Sequence, residues 1–257
     1  DEFGQLGDSF NKMAEAVETR THSLEESEYK KTLFMGNLTH ELKTPITSVK
    51  VLADSLLAQE NVPAELYREF MEDIAQEVER ENTLINDLLE LVKLDKAAAE
   101  LNISVVNINE LTEVILKTLR PIARKNNVEV TLISKREILA EVDKVKMSQI
   151  ITNLVENAIK YNREQGKVEV TLDADHQFFT VQVEDTGIGI PAEAISQIYE
   201  RFYRVDKSHS RKIGGTGLGL AITRSAVLLH RGSIKVESRE NEGTTFTVKV
   251  PLTRSLT

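Results

Sequence analysis

Hydrophobic spacing changes once along this chain of 257 residues, and the change decides what each part can fold into. Up to a small, charged stretch at Lys96 to Glu100, apolar side chains recur every three or four positions, the period of a helix face; beyond it short alternating runs appear, the period of strands. Leu6, Phe10, Met13 and Val17 open the helical part, and the same phase runs through Arg20, Leu24, Ser27 and Lys31 to Phe34 and Leu38. This is the seam of a coiled-coil helix, diluted by polar residues; the plainer alternative is a solvated helix that pairs only because its neighbours do. Phe34, Leu38 and Leu42 then step by four and four, a stutter in the heptad phase. Asn61, Val62 and Pro63 interrupt the pattern, and a second amphipathic run follows through Leu66, Phe70, Ile74, Val78, Leu84, Ile85, Leu88, Leu91 and Leu94. Two long helices joined by a short turn form a hairpin. One hairpin exposes a long apolar face, and a second copy covers it, which predicts a homodimeric four-helix bundle.

Within the first helix the apolar stripe avoids a histidine. At about 100° per residue, Leu38, Leu42, Pro45, Ile46, Val49, Leu52 and Leu56 gather on one face and His40 falls almost opposite. A histidine in water is free to act as a nucleophile, and Glu41 adjoins it, with Lys43, Thr44 and Thr47 on the same outer face. A zinc-binding His-Glu-x-x-His reading fails because Thr44 stands where the second histidine belongs. His22, His176, His209 and His230 show no ligand spacing and suit surface or packing roles.

Composition narrows the partners. A 40% apolar content supports ordinary cores for two modest domains, and a net charge of -9 argues against nucleic acid or an anionic lipid surface as the main partner. A phosphate ligand therefore needs a focused cationic site. The chain has no cysteine, which excludes disulfides and thiolate metal sites and leaves the cytoplasm as the default compartment. It contains no run of about 18 apolar residues and no secretion signal, so nothing in it is expected to cross a membrane.

After residue 100, β-like runs at Val128–Ile133, Val168–Leu172, Phe178–Glu184, Ile234–Glu237 and Thr245–Val250 alternate with helical runs at Asn109–Lys125, Asp143–Tyr161 and Thr216–His230. That pattern suits an antiparallel or mixed sheet with helices on one face, and an α+β multidomain chain overall. Asp185-Thr186-Gly187-Ile188-Gly189-Ile190-Pro191 follows a predicted strand, and Gly214-Gly215-Thr216-Gly217-Leu218-Gly219-Leu220 precedes a predicted helix. Glycines at such spacing let the backbone approach a ligand, and a helix N-terminus offers unpaired amides to phosphate. Neither run is a Walker loop or a dinucleotide fingerprint. Asn153, Glu156, Asn157 and Lys160, with Tyr161 next to them, recur at three and four residues and project from one side of a helix. Oxygen ligands beside phosphates suit magnesium; an ordinary polar helix face is the alternative.

With these residues in view, the sequence resembles the cytoplasmic core of a sensor histidine kinase of two-component signalling. His40 to Pro45 matches the phosphoacceptor box, Asn153 to Tyr161 the asparagine box, Asp185 to Ile190 the first glycine box, Arg201-Phe202-Tyr203 the phenylalanine box and Gly215 to Leu220 the second glycine box. Asp1-Glu2-Phe3-Gly4 resembles the opening of the second helix of a HAMP module. The resemblance implies a HAMP C-terminal helix and signalling coiled coil over 1–30, a dimerisation and phosphotransfer hairpin over 31–97, and a catalytic ATP-binding domain of the Bergerat fold, a mixed α/β sandwich, over 98–257. Asp185 is then expected to accept a hydrogen bond from the adenine amine, with Gly187 and Gly189 permitting close approach and Tyr161 bordering the base. Asn157 is the leading magnesium ligand, with Glu156 and Asn153 alongside, and Lys160 faces the phosphates. Gly215, Thr216, Gly217, Leu218 and Gly219 close the triphosphate end, while Arg204, Lys207, Arg211 and Lys212, with Ser208 and Ser210, have the composition of a cationic lid that Phe202 anchors by packing; a solvated charge run is the alternative, and for Lys207 and Lys212 taken singly the better one.

The resemblance further implies an ATP-dependent autokinase in which His40, assisted by Glu41, takes the γ-phosphoryl group and passes it to an aspartate of a response regulator. Thr44 with Glu41 is expected to support a phosphatase activity on that regulator. A nucleotide-gated dimeric scaffold without covalent transfer is the alternative. Membrane attachment is expected only through a portion preceding Asp1, on the cytoplasmic side.

Overall fold

The computed structural model describes residues 2–59, 62–94, 101–205 and 215–253, and the side chains of 2–18, 23, 24, 27 and 30 fall outside that description. It divides into two compact units, Asp1–Leu84 and Ile85–Thr257.

The first unit is helical. Helix α1 spans Glu2–Leu57 and helix α2 spans Ala64–Leu94, whose final turns belong to the second unit. The break expected at 61–63 thus separates two long helices. The seam positions Leu6, Phe10, Met13, Val17, Leu24 and Ser27 lie outside the described side chains. Pro45 sits inside α1, where its missing N–H leaves the Glu41 carbonyl without a helical donor. Three threonine hydroxyls around it donate back along the helix: Thr39 to the Met35 carbonyl at 2.9 Å, Thr44 to that of His40 at 3.0 Å and Thr47 to that of Lys43 at 2.7 Å. Pro45 is buried and Leu38, Leu42, Val49, Leu52 and Leu56 are half-buried, as the stripe requires. Ile46 departs from it and is exposed, because it lies about 80° round the helix from Leu38, at the stripe's margin. On α2, Leu84, Leu91 and Leu94 are buried, whereas Tyr67, Met71, Val78, Ile85, Leu89 and Val92 form a second apolar stripe that the single chain leaves exposed. Among the described residues no helix is long and apolar enough to cross a membrane.

The second unit packs helices on one face of a mixed sheet. After β1 (Ile103–Asn107) come α3 (Ile108–Lys125), β2 (Glu129–Ser134), β3 (Leu139–Asp143), α4 (Lys144–Lys160), β4 (Lys167–Ala174), β5 (Phe178–Asp185), α5 (Gly219–Leu229), β6 (Ser233–Arg239) and β7 (Gly243–Pro251). The five-stranded sheet has the order β2-β4-β5-β7-β6, with β2 parallel to β4 and the other neighbours antiparallel. Alternate residues enter the core: Val168, Val170 and Leu172 from β4, Phe179, Val181 and Val183 from β5, and Phe246, Val248 and Val250 from β7. Against them pack Leu111, Ile115 and Leu119 of α3, Met147, Ile150, Ile151 and Leu154 of α4, and Ala226 and Val227 of α5. Burying each such large side chain contributes about 1.5–3 kcal/mol. This is the α+β architecture that the periodicities predict.

Strands β1 and β3, which pair antiparallel in their own small sheet, have no counterpart in the sequence reading. Each is followed at once by a helix whose N-cap is its last residue. Asn107 Oδ1 accepts from the N–H groups of Asn109 and Glu110, and Asp143 Oδ1 from those of Val145 and Lys146. His230, buried at the end of α5, accepts the Asp143 N–H at Nε2 (3.1 Å) while Nδ1 donates to the Ala226 carbonyl (2.8 Å), so it is a packing residue that ties α5 to the start of α4.

Candidate functional site

Helix α4 buries Met147, Ile150, Ile151, Leu154, Val155, Ala158 and Ile159, which leaves Asn153, Glu156, Asn157 and Lys160 half-buried on its other side. Asn153 faces α5, its amide donating to the Gly219 carbonyl (3.2 Å) and the Thr223 hydroxyl (3.3 Å). Glu156 and Lys160 pair with each other at 3.3 Å across one turn. The Asn157 side-chain amide makes no hydrogen bond to another described residue and is only half-buried, so water or a ligand can meet it. Among the described residues no three histidine, aspartate or glutamate side chains gather as a metal cluster.

At the end of β5 the Asp185 carboxylate accepts the Gly187 N–H at 2.8 Å and the backbone N–H of Thr244. Burial is the larger influence and pushes its pKa from 3.8 up to about 6; the two backbone donors pull the other way, and the neighbouring charge of Glu184 adds to the rise. The loop that follows is tied to Tyr161, the C-cap of α4, because the Ile188 N–H donates to the Tyr161 carbonyl at 3.0 Å. Gly187 is needed for this fit, since a Cβ there would overlap the Tyr161 carbonyl oxygen. Gly189 likewise presses on the Arg239 backbone. The close approach expected at these glycines is therefore made first by the protein's own main chain, which holds Asp185 and Tyr161 beside one loop.

The second glycine run begins helix α5 later than its spacing suggests, at Gly219 rather than Thr216. Gly217 has φ +71, a left-handed conformation that interrupts the helix, and its carbonyl accepts the Phe202 N–H at 3.0 Å. Phe202 is buried, in keeping with an anchoring role, and Leu218 is fully buried. No side chain caps α5, so its first-turn amides retain the capacity to meet an anion. Gly215 is exposed, and Arg204 is half-buried and already engaged. Lys207, Ser208, His209, Ser210, Arg211 and Lys212 lie outside the described residues.

Thr216 supplies a contact that the spacing does not reveal. Its hydroxyl donates to Asp87 of α2 at 2.5 Å and accepts the Leu218 N–H at 3.3 Å. Asp87 also lies in the fields of Glu156 and Lys160, and burial raises its pKa above the usual carboxylate range. One turn on, Glu90 pairs with Lys146 of α4. Asp87, Glu90 and the backbone donor of Thr244 are the residues sequence reasoning missed; two are ordinary acidic positions on an amphipathic helix, and a backbone amide has no signature at all.

In the first unit His40 stands out in solvent, its side chain 73% exposed, with Nδ1 3.9 Å from Glu41 Oε1. Thr44, one turn on, is exposed and bonded to the His40 carbonyl.

Comparison with known proteins accounts for both units. Residues 142–254 match the family model "Histidine kinase-, DNA gyrase B-, and HSP90-like ATPase", and residues 30–97 match "His Kinase A (phospho-acceptor) domain". The sensor protein kinase WalK of Staphylococcus epidermidis is 37% identical over 220 residues, covering 85% of this chain and 36% of that protein. The chain thus spans about a third to a half of the length of the curated relatives it matches. Among solved structures, the catalytic domain of histidine kinase ThkA is 32% identical with a TM-score of 0.53, covering 60% of this chain and 99% of that one. ThkA in complex with the response regulator protein TrrA aligns with a TM-score of 0.72 at 25% identity, covering 87% of this chain and 62% of that chain. This chain belongs to the sensor histidine kinase family, with a His Kinase A hairpin and the family's ATP-binding domain.

Proposed function

We propose that the chain is the kinase core of an ATP-dependent protein-histidine autokinase that phosphorylates its own His40 and hands the phosphoryl group to an aspartate of a response regulator. The carrying observation is the exposed imidazole of His40 beside Glu41, on a chain that also holds the nucleotide-type arrangement around Asp185 and Gly215 to Gly219. Asp185 would accept from the adenine amine, with Tyr161 at the edge of the base. Thr216, the first-turn amides of α5, Lys160 and Arg204 would face the phosphates. Asn157 supplies an amide oxygen, and Glu156 and Asn153 stand near it, a donor set that fits magnesium held jointly with phosphate and water rather than in an all-protein cage. Magnesium would supply charge neutralisation on the phosphates.

Neutral His40 attacks the γ-phosphorus in line, forming an N–P bond as the P–O bond to ADP breaks; the proton on the other ring nitrogen is stabilised by Glu41. Phosphohistidine is a reactive phosphoramidate, suited to onward transfer. Thr44 and Glu41 would orient water against the regulator's acyl phosphate and so give the phosphatase activity. The uncovered stripe of Tyr67, Met71, Val78, Ile85, Leu89 and Val92 supports a homodimer through the hairpin.

The test uses γ-labelled ATP with magnesium. Wild type should acquire acid-labile, alkali-stable label, and Asn157→Asp should lose it while remaining a dimer in sedimentation. ATP binding with no labelled protein would contradict the autokinase and leave a nucleotide-gated scaffold.

A further inference from the structure

The end of α2 carries a face that the phosphotransfer chemistry does not use. Asp87, Glu90, Leu91 and Leu94 stand at i, i+3, i+4 and i+7, on one side of the helix. Leu91 and Leu94 are buried, Glu90 is paired with Lys146, and Asp87 holds the Thr216 hydroxyl at 2.5 Å. The Glu90 contact falls on the first turn of α4, and the Asp87 contact falls on the segment leading into α5, which is assigned above to the triphosphate.

The Thr216 hydroxyl has one proton, and it is given to Asp87; its lone pair takes the Leu218 N–H. A phosphate oxygen arriving at Thr216 would need that proton. It would also meet a second negative charge in a partly desolvated place, where like charges repel strongly. Carboxylate and phosphate are thus rival acceptors for one donor. We propose that Asp87 is an autoinhibitory latch: the end of α2 and the triphosphate of the nucleotide compete for Thr216, so docking of α2 lowers nucleotide affinity and nucleotide binding releases α2. This deepens the functional reading, because it rests on Gly215 to Gly219 receiving the triphosphate. Linkage makes the effect reciprocal, so any signal that shifts the last turns of α2 changes nucleotide occupancy.

The experiment measures equilibrium binding of magnesium AMP-PNP and of adenosine to the full chain, in wild type, Asp87→Asn and Asp87→Ala. Both variants should bind AMP-PNP about fivefold more tightly, a usual size for coupling between sites. Adenosine affinity should not change. The gain should persist in about 0.5 M salt, where a through-space charge effect is largely screened. Glu90→Gln, which loosens the neighbouring tie without touching Thr216, should give a smaller gain in the same direction, and it provides the readout if the Asp87 variants fold poorly. Unchanged or weaker AMP-PNP binding in the variants, an equal gain for adenosine, or a gain abolished by salt overturns the latch while leaving the nucleotide site intact. Failure of wild type and variants alike to bind AMP-PNP overturns the site and the latch together.

Discussion

At the scale of single residues, Asp185 carries the sharpest consequence. Its carboxyl is pushed up to about 6 by burial, so the folded chain holds this proton more tightly than the unfolded chain, whose group has the ordinary value of 3.8. The cost of keeping the ionised form buried is therefore present above about pH 6 and is relieved as pH falls from there towards 3.8. In the proposed adenine contact protonation works the other way, because the ionised carboxylate is the stronger acceptor for the adenine amine. Adenosine affinity should be flat near neutrality and fall by up to about tenfold per unit below pH 6. Asp185→Asn should remove that profile and weaken binding about tenfold to a hundredfold without lowering the melting temperature at pH 8. A pH-independent affinity in wild type would contradict this role. The aspartate was legible from its place between a strand and Gly187. Its second backbone donor, Thr244, was not, because that pairing arises only when β5 and β7 align Asp185 with Thr244.

At the scale of elements, spacing alone located α3, α4 and all five strands of the main sheet to within a few residues. Their core faces repeat cleanly: Val168, Val170 and Leu172 at period two, and Met147, Ile150, Ile151 and Leu154 at helical period. Strands β1 and β3 escaped because each has five residues and an exposed apolar side chain, Val105 and Leu139, which blurs the alternation. The start of α5 was misjudged because a left-handed Gly217 looks, as a letter, like any helix-opening glycine. Leu154 lies beneath the polar face of α4 and is fully buried, so Leu154→Ala should cost about 2–5 kcal/mol in denaturant unfolding. A loss below 1 kcal/mol would mean that the sheet and helix relax to fill the gap. In α1, the stutter at Phe34, Leu38 and Leu42 adjoins Pro45 and the three back-bonded threonines, features that weaken and bend a helix locally. Inserting one residue near Ser27 rotates the incoming phase by about 100° and should change the ratio of autokinase to phosphatase activity. Indifference of that ratio to insertions of one, two and three residues would remove phase-coupled control.

At the scale of the molecule, one chain carries a helical unit with an exposed histidine and a unit of the ATP-binding family. The helical arithmetic foretold the display of His40, and the structure bears it out; the same arithmetic misjudged Ile46, whose position at the stripe's margin gave no cover. The boxes around Asn157, Asp185 and Gly217 were legible because each needs special residue types at fixed spacing. The Asp87 contact was not, because it joins residues 129 positions apart and either partner could serve elsewhere. Everything in the functional reading converges on one covalent bond. The most direct measurement is to incubate wild type and His40→Gln side by side with γ-labelled ATP and magnesium and to follow label retained on the protein in acid and in alkali. The account predicts alkali-stable, acid-labile label on wild type and none on His40→Gln; label of the same amount and stability on the variant would contradict it.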